Sequence, residues 1–217
     1  MSAAGAGRRA LERAFAGHCG TPEPLRDIQF NGMTDPGIVR TGIERLGRDP
    51  DAALIAAILD DYLGLLPGEL AATAGPHVYP GVADLLAALV TEEHLAVGLG
   101  TGNLRGGAQL KLAGAGLDGY FGFGGFGSDH EDRAELLRIG AARGAARFAA
   151  PPAECRVVVI GDTPRDVAAA RAIGATTLAV ATGGFAPEHL RAAGATWVAA
   201  DLTDAAVCDI LCDGGVT

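Results

Sequence analysis

The segment from Val157 to Asp166, VVVIGDTPRD, limits the folds open to this chain more than any other stretch. Four consecutive apolar residues, most of them β-branched, precede Gly161 and are typical of a strand that is buried on both faces. Asp162 follows at the carboxyl end of that strand, where open α/β sheets bind their ligands, and Pro164 suits the first turn of a helix. Asp166 lies one helical turn further on. The segment therefore predicts a strand-to-helix turn that presents two carboxylates.

Asp162 and Asp166 are candidate ligands for a divalent cation. Mg²⁺ is held in proteins by one or two carboxylates together with water and the phosphate oxygens of a substrate. The two residues also have a purely structural interpretation, in which Asp162 caps the following helix and Asp166 lies on the surface. The short GDxxxD pattern leaves both interpretations open.

The arrangement of predicted elements changes near Val78. Residues before about Ala74 show helix patterns only, over residues 5–16, from Thr34 to Leu46 with Asp35 at the N-cap, and over 51–66, where Pro67 ends the helix. After Val78, helix patterns alternate with strand patterns that run from His94 to Thr101, to near Ser128 and Asp129, from Arg156 to Gly161, and over 176–181 and 196–199. Such alternation predicts βαβ units and a parallel, doubly wound sheet.

The second strand end of interest is LGTGN, residues Leu99 to Asn103. The Thr101 hydroxyl and the backbone N–H groups of a strand-to-helix turn suit phosphate oxygens, although Thr101 could equally act as a helix cap. Lys111 follows in the next helix pattern and is the single lysine beside sixteen arginines. We interpret it as a phosphate-neutralising residue, with an exposed surface lysine as the alternative.

Size and charge restrict the partners. The chain has 217 residues, enough for one α/β domain with an insertion or for two small domains. Its net charge of −9 argues against nucleic acid or an anionic membrane surface as partner. No apolar run is long enough to span a bilayer or to form a signal peptide, so we expect a cytoplasmic protein.

The ordered set of a strand ending in Thr101, Lys111 in the next helix and GDTPRD after a later strand resembles the haloacid dehalogenase superfamily, in its phosphoglycolate phosphatase-like branch. VYPGVADLLAAL, GFGSDHEDR and GATTLAVATGGF resemble the same branch. The resemblance implies a Rossmann-like three-layer core with a parallel sheet and a small helical cap. By position, residues 1–14 would begin the linker helix, 15–75 would form the cap and 76–217 the core.

The resemblance also implies roles for individual residues. Thr101 and Lys111 would be catalytic, Gly102 and Asn103 would bind the substrate, and Asp162 and Asp166 would hold Mg²⁺. Asp129 could help to position the site, or be an ordinary loop carboxylate. Because GDTPRD carries both acidic groups of the Mg²⁺-dependent members, the implied reaction is hydrolysis of a small phosphorylated metabolite rather than metal-free dehalogenation.

One part of the family pattern is absent from the 217 residues. The first motif, a strand ending in Asp-x-Asp-x-Thr, supplies the nucleophilic aspartate and lies between the strands that here end at Thr101 and Asp162. We therefore expect no turnover from this chain, and an unfilled position in the sheet unless those two strands pair directly. Three explanations stay open: a reading frame that starts too late in an active phosphatase, a pseudophosphatase that binds a phosphorylated ligand or a protein, and an unrelated α/β protein.

Overall fold

A computed structural model of the chain describes residues 1–212 and has an α/β architecture. The helices are α1 (Ala6–Cys19), α2 (Asp35–Arg45), α3 (Ala52–Ala71), α4 (Val82–Leu89), α5 (Arg105–Gly114), α6 (Arg133–Ala146), α7 (Pro164–Ala172), α8 (Pro187–Ala192) and α9 (Ala205–Cys212). The strands are β1 (Leu99–Thr101), β2 (Gly124–Phe126), β3 (Val158–Gly161), β4 (Thr176–Val180) and β5 (Trp197–Ala199). Residues 213–217 of the predicted core lie outside the described residues.

The pairings between β1 and β2, β3 and β4, and β4 and β5 are all parallel, as the alternation of helices and strands predicts. β1 pairs with β2, and Leu99 lies opposite Gly124; β3 pairs with β4, which pairs with β5. Within residues 1–212 these strands form two separate sheets of two and three strands, because β1 and β3 are not hydrogen-bonded to each other. The two strands therefore do not pair directly.

Helices cover both faces of the strands and continue from one sheet to the other. On one face, Leu85 of α4 packs with Leu178 of β4, while the adjacent Leu86 packs with Leu99 of β1. On the other face, α6 and α7 pack together against Val159 of β3. The predicted α/β fold with helices on both faces of a parallel sheet is confirmed.

The two sheets lie side by side with an open edge on each. The side chain of Leu137 in α6 lies directly over Gly100 of β1, and it belongs to the same apolar cluster as Val159 of β3. Ile160, in the middle of β3, is nevertheless 38% exposed, and Gly100 is exposed as well. We call the space between these two strands the β1–β3 opening; its position is the one expected for the strand of the first motif.

The helical first third of the chain has its own apolar core. Phe15 of α1, Ile38 of α2 and Ile58 of α3 are almost completely buried in one cluster. The boundary between the linker helix and the cap, placed between residues 14 and 15, falls inside α1, and the three domain ranges stay predictions. We refer to α2, α3 and the loops before them as the cap.

Two helix boundaries in the cap differ from the sequence-based predictions. Thr34, not Asp35, is the N-cap of α2, because its hydroxyl accepts a hydrogen bond from the N–H of Gly37. Asp35 is the first helical residue, and its side chain is left for other partners. α3 does not end at Pro67 but continues to Ala71, so that Pro67 lies inside the helix.

Across the part of the chain that the structure describes, none of the helices combines the length and the apolar character that a bilayer crossing requires.

Candidate functional site

The candidate site lies where the carboxyl ends of β1 and β3 meet the cap. The loop before α2 runs over both strand ends: Arg165 in the first turn of α7 donates to the carbonyl oxygen of Asn31 at 2.6 Å, and the N–H of Asp35 donates to the carbonyl oxygen of Gly102 at 2.7 Å. The cap is therefore closed on the core.

The β1–α5 turn holds Thr101, Gly102 and Asn103 close under the cap. A Cβ atom on Gly102 would lie only 2.1 Å from the carbonyl oxygen of Met33, so only glycine fits at that contact. The Thr101 hydroxyl accepts a hydrogen bond from the N–H of Asn103 at 3.2 Å. This bond orders the turn and keeps the Thr101 oxygen at the carboxyl end of β1.

Lys111 reaches back from α5 to the same turn. Its Nζ donates to Oδ1 of Asn103 at 2.8 Å and to the hydroxyl of Tyr62 at 3.3 Å. Burial lowers the pKa of Lys111, and the negative charge of Asp35 acts in the opposite direction. The structure thus brings together Thr101, Asn103 and Lys111, which the sequence assigns to phosphate binding.

Asp35 completes this group from the cap side. Its Oδ2 accepts from the N–H of Leu104 at 2.8 Å, its Oδ1 accepts from Nδ2 of Asn103 at 3.2 Å, and the hydroxyl of Tyr62 lies near enough to affect its pKa. The side chain is almost completely buried, and this burial raises the pKa of its carboxyl group while the Lys111 charge opposes the shift. Burial also raises the pKa of Tyr62.

A cavity of about 320 Å³ opens beside this group, between α1, the cap and α5. Its polar lining comes from six side chains, Arg8, Asn31, Asp35, Tyr62, Asn103 and Lys111, and its apolar lining includes Leu11, Phe30, Met33 and Ile38. Its size and mixed lining suit a small polar metabolite.

Asp162 and Asp166 both lie at the end of β3, but their carboxylates have different surroundings. Asp166 accepts hydrogen bonds from the backbone N–H groups of Asp162 and Thr163, from the Thr163 hydroxyl and from Arg133, which approaches Oδ1 to 2.6 Å. The two acidic residues repel each other, and burial together with that repulsion raises the pKa of Asp162. The ammonium group of Met1 lies near enough to Asp162 for each charge to affect the pKa of the other.

These surroundings bear on a possible Mg²⁺ site. The Asp162 carboxylate is half-buried, and a side chain on Gly183 would collide with it, so this glycine leaves room at the strand end. Asp166 serves as an internal cap of α7 and as the partner of Arg133. Among the described residues no cluster of three or more His, Cys, Asp or Glu side chains could hold a metal alone. One carboxylate with water and phosphate oxygens is nevertheless sufficient for Mg²⁺.

Asp129 has a structural environment. Its two oxygens accept from Arg143 at 2.6 and 2.8 Å, and Oδ2 also accepts from the N–H of Phe126. Arg143 thereby lowers the pKa of the Asp129 carboxyl group. This is the environment of a loop carboxylate.

Among the side chains of the site that were not assigned to it from the sequence are Asp35, Tyr62 and Arg133. The signal for Asp35 was present, because Thr34 could equally have been chosen as the N-cap. Tyr62 fits the apolar face of α3 and gives no separate signal. Arg133 is one of sixteen arginines, and nothing in its sequence position distinguishes it.

Comparison with known proteins identifies the relatives of this fold. Residues 138–205, which include β3, β4 and both acidic residues of the strand end, match the family model described as HAD-hydrolase-like. Among the curated proteins, none matches this chain.

Solved structures resemble the chain over most of its length. A hydrolase from Pseudomonas syringae has 21% identity and a TM-score of 0.64, covering 90% of this chain and 88% of its own. A predicted phosphatase from Clostridium acetobutylicum has 16% identity and a TM-score of 0.58, covering 88% and 86%. A predicted phosphoglycolate phosphatase from Haemophilus somnus has 15% identity and a TM-score of 0.59, covering 95% and 89%. At these identities the likeness is one of fold.

Proposed function

We propose that this chain is a haloacid dehalogenase-like protein and that its site, under the closed helical cap, binds the phosphoryl group of a small phosphomonoester in the manner of an Mg²⁺-dependent phosphatase. The observation that carries this proposal is the convergence of Thr101, Asn103 and Lys111 at the end of β1, beside a cavity of metabolite size. The relatives described as phosphatases support the reaction class.

Each residue would contribute to phosphoryl binding in a different way. The Thr101 hydroxyl and the N–H of Gly102 would donate to phosphoryl oxygens at the end of β1. Lys111 would neutralise their charge; at about 4 Å and an effective dielectric constant near 20, one such interaction is worth about 4 kcal/mol. Asn103 holds the Lys111 ammonium group through its Oδ1.

The metal-binding part of the proposal rests on Asp162. Its half-buried carboxylate would be the protein ligand for Mg²⁺, while Asp166 fixes the turn by accepting from the N–H of Asp162. When bound, the metal would supply positive charge to the phosphoryl oxygens. Asp166 could become a second ligand only by giving up its bond with Arg133.

Turnover requires a nucleophile that these residues do not provide. In the part of the chain that the structure describes, the carboxylates of the site at the ends of β1 and β3 are those of Asp35, Asp162 and Asp166. Asp35 and Asp166 use their oxygens to bind backbone N–H groups, and Asp162 is assigned to the metal. We propose that this chain has the binding site of a phosphatase and that the 217 residues bind phosphate without hydrolysing phosphomonoesters. The alternative is a pseudophosphatase, whose function is itself the binding of a phosphorylated ligand or a protein.

A thermal-shift titration with inorganic phosphate tests the binding proposal. At a phosphate concentration of 100 times Kd, binding adds about 2.7 kcal/mol, which raises Tm by roughly 5–10 °C for a domain of this size. Lys111→Met should abolish the rise, whereas Arg138→Met, on the exposed side of α6, should preserve it. No rise in the wild-type protein would contradict the proposal.

An activity assay tests the expectation of no turnover separately. The wild-type 217-residue protein is incubated with a panel of phosphomonoesters and with Mg²⁺, and released phosphate is measured. We expect no release above the uncatalysed background. Mg²⁺-dependent release that Lys111→Met eliminates would show that a nucleophile is present after all.

A further inference from the structure

Among residues 1–212, no carboxylate of the core forms a hydrogen bond or an ion pair with Lys111. The family resemblance implies that Asp166 supports this lysine, but the Asp166 carboxylate is bound by Arg133, by Thr163 and by the N–H of Asp162. No hydrogen bond or ion pair joins Lys111 to Asp166 in the described part of the chain. The positive charge of Lys111 must therefore be balanced from another direction.

The groups that face Lys111 come mainly from the cap and from α1. Asp35 of α2 and Tyr62 of α3 approach from the cap, and Arg8 of α1 lines the same cavity. A Cβ atom on Gly7 of α1 would lie 3.0 Å from Nζ of Lys111, so the ammonium group rests against this glycine. Asp35 is the one negative charge in this set.

Asp35 and Lys111 are joined through the side chain of Asn103. Asn103 donates its Nδ2 to Asp35 and accepts Lys111 at its Oδ1. Tyr62 accepts a hydrogen bond from Lys111, and its hydroxyl lies near enough to Asp35 for each group to affect the pKa of the other. Four side chains from the cap and the core thus form one connected polar cluster.

The same carboxylate ties the cap to the core. Oδ2 of Asp35 accepts from the N–H of Leu104 at the start of α5, and the N–H of Asp35 donates to the carbonyl oxygen of Gly102. Moving α2 away from the β1–α5 turn would break both bonds. It would also separate Lys111 from the negative charge of Asp35. If α3 moved together with α2, the hydrogen bond between Lys111 and Tyr62 would break as well.

We propose that Asp35 is a positioning residue for Lys111, so that the core lysine is held at the end of β1 by a carboxylate that the cap supplies on closing. The inference deepens the proposed function and rests on it where it assigns Lys111 to phosphate. It makes phosphate binding dependent on the position of the cap, although the cap residue does not touch the phosphoryl group.

The single lysine makes a direct test possible. Protein labelled with ¹³C at the lysine ε carbon gives one signal, that of Lys111, whose chemical shift is followed from pH 6 to pH 11 without phosphate. Asp35→Asn should lower the pKa of Lys111 by about one unit or more, because an opposite charge at close range has been removed. Asp35→Glu keeps the negative charge, so the pKa of Lys111 should differ from its wild-type value by no more than about half of that change.

A matched control separates this effect from loosening of the cap. Glu131 forms an ion pair with Arg40 at 2.9 Å across the same cap–core boundary, away from Lys111. Glu131→Gln should leave the pKa of Lys111 unchanged. An equal pKa in wild type and Asp35→Asn, or an equal fall in Glu131→Gln, would overturn the proposal.

Two further measurements keep the outcome clear. If Asp35→Asn does not melt cooperatively, a nuclear Overhauser contact between the Lys111 ε protons and the Tyr62 ring in the wild type supports the proposal, and its absence refutes it. Inorganic phosphate added to the wild type tests the proposed function separately. If the chemical shift of Lys111 does not change when phosphate is added, the proposed function is rejected, whatever the Asp35 variants show.

Discussion

Gly102 is the residue at which the cap comes closest to the β1–α5 turn. In Gly102→Ala the added Cβ would meet the backbone of Met33 and Thr34 at 2.1 to 2.8 Å, atoms that cannot rotate away. We expect a loss of about 1–3 kcal/mol in the free energy of unfolding, measured by urea denaturation.

Gly106 provides the control for this substitution, because it lies nearby in α5 and an added Cβ would meet only Leu63, at 3.6 Å. Gly106→Ala should leave stability unchanged or raise it by up to about 1 kcal/mol through helix propensity. Equal unfolding midpoints for the two variants would mean that the cap does not press on Gly102 in solution.

The Asp129–Arg143 pair gives a prediction with a pH signature. Because Arg143 lowers the pKa of Asp129, the pair stabilises the fold above the unfolded-state pKa of about 3.9, and this contribution disappears as pH falls through the folded-state pKa. Asp129→Asn should cost about 1–3 kcal/mol at pH 7, measured by urea denaturation, and progressively less toward pH 3. Asp118→Asn, at an exposed position, should change stability by less than about 0.5 kcal/mol. A pH-independent loss at Asp129 would contradict this origin.

At the level of single residues, the sequence predicted side chains whose place follows from a strand end or a helix. It did not predict side chains whose role depends on a partner that is distant in the sequence. Thr101, Asn103 and Lys111 follow from a strand end and a helix, and the structure places them together. The role of Asp35 was not predicted, because an N-cap assignment commits its carboxylate to the backbone N–H groups of α2. The partner of Asp166 could not be foreseen either, since an Arg133 side chain 33 positions away reaches it only in the folded chain.

At the level of elements, α3 and β1 show how tertiary contacts alter boundaries. α3 continues past Pro67 because contacts beyond it compensate for the hydrogen bond that proline cannot donate. Leu70 packs on the apolar cluster that holds Phe15, Ile38 and Ile58. Glu69 forms ion pairs with Arg9 and Arg13. β1, in contrast, begins only at Leu99, although the apolar pattern extends back to His94. Its strand neighbour β2 is on one side only, so fewer residues are held in a ladder.

The open edges of β1 and β3 predict a pattern of amide exchange. Thr176 of β4 donates to the carbonyl oxygen of Val157, so successive residues alternate and the N–H of Ile160 points into the β1–β3 opening. Native-state hydrogen exchange should therefore show Ile160 exchanging orders of magnitude faster than Val159, whose N–H points toward β4. Equal protection of these neighbouring amides would indicate that the opening is filled.

For the whole molecule, the parallel sheet and its helical layers follow from the spacing of apolar segments, whereas the closed cap does not. Cap closure depends on pairs such as Arg40 with Glu131, 91 positions apart, and Arg165 with the carbonyl oxygen of Asn31. Sequence patterns contain no information about such distant contacts. The β1–β3 opening was expected only from the resemblance to the haloacid dehalogenase superfamily, because no local feature of β1 or β3 indicates which strand lies beside it.

The β1–β3 opening makes the stability of the whole molecule responsive to an added strand. Met1 lies near Asp162, at the carboxyl end of β3, so five β-branched residues fused directly before Met1 would run through the opening parallel to both neighbours. Such a strand would form several backbone hydrogen bonds at about 0.5–1.5 kcal/mol each and cover Ile160. We expect Tm to rise by roughly 5–10 °C in thermal denaturation, and the Ile160 amide to become protected. A Gly-Ser extension of the same length should change neither, because it gains little from burial and loses more chain entropy on ordering. Equal melting temperatures for the two extensions would show that the opening does not accept a strand.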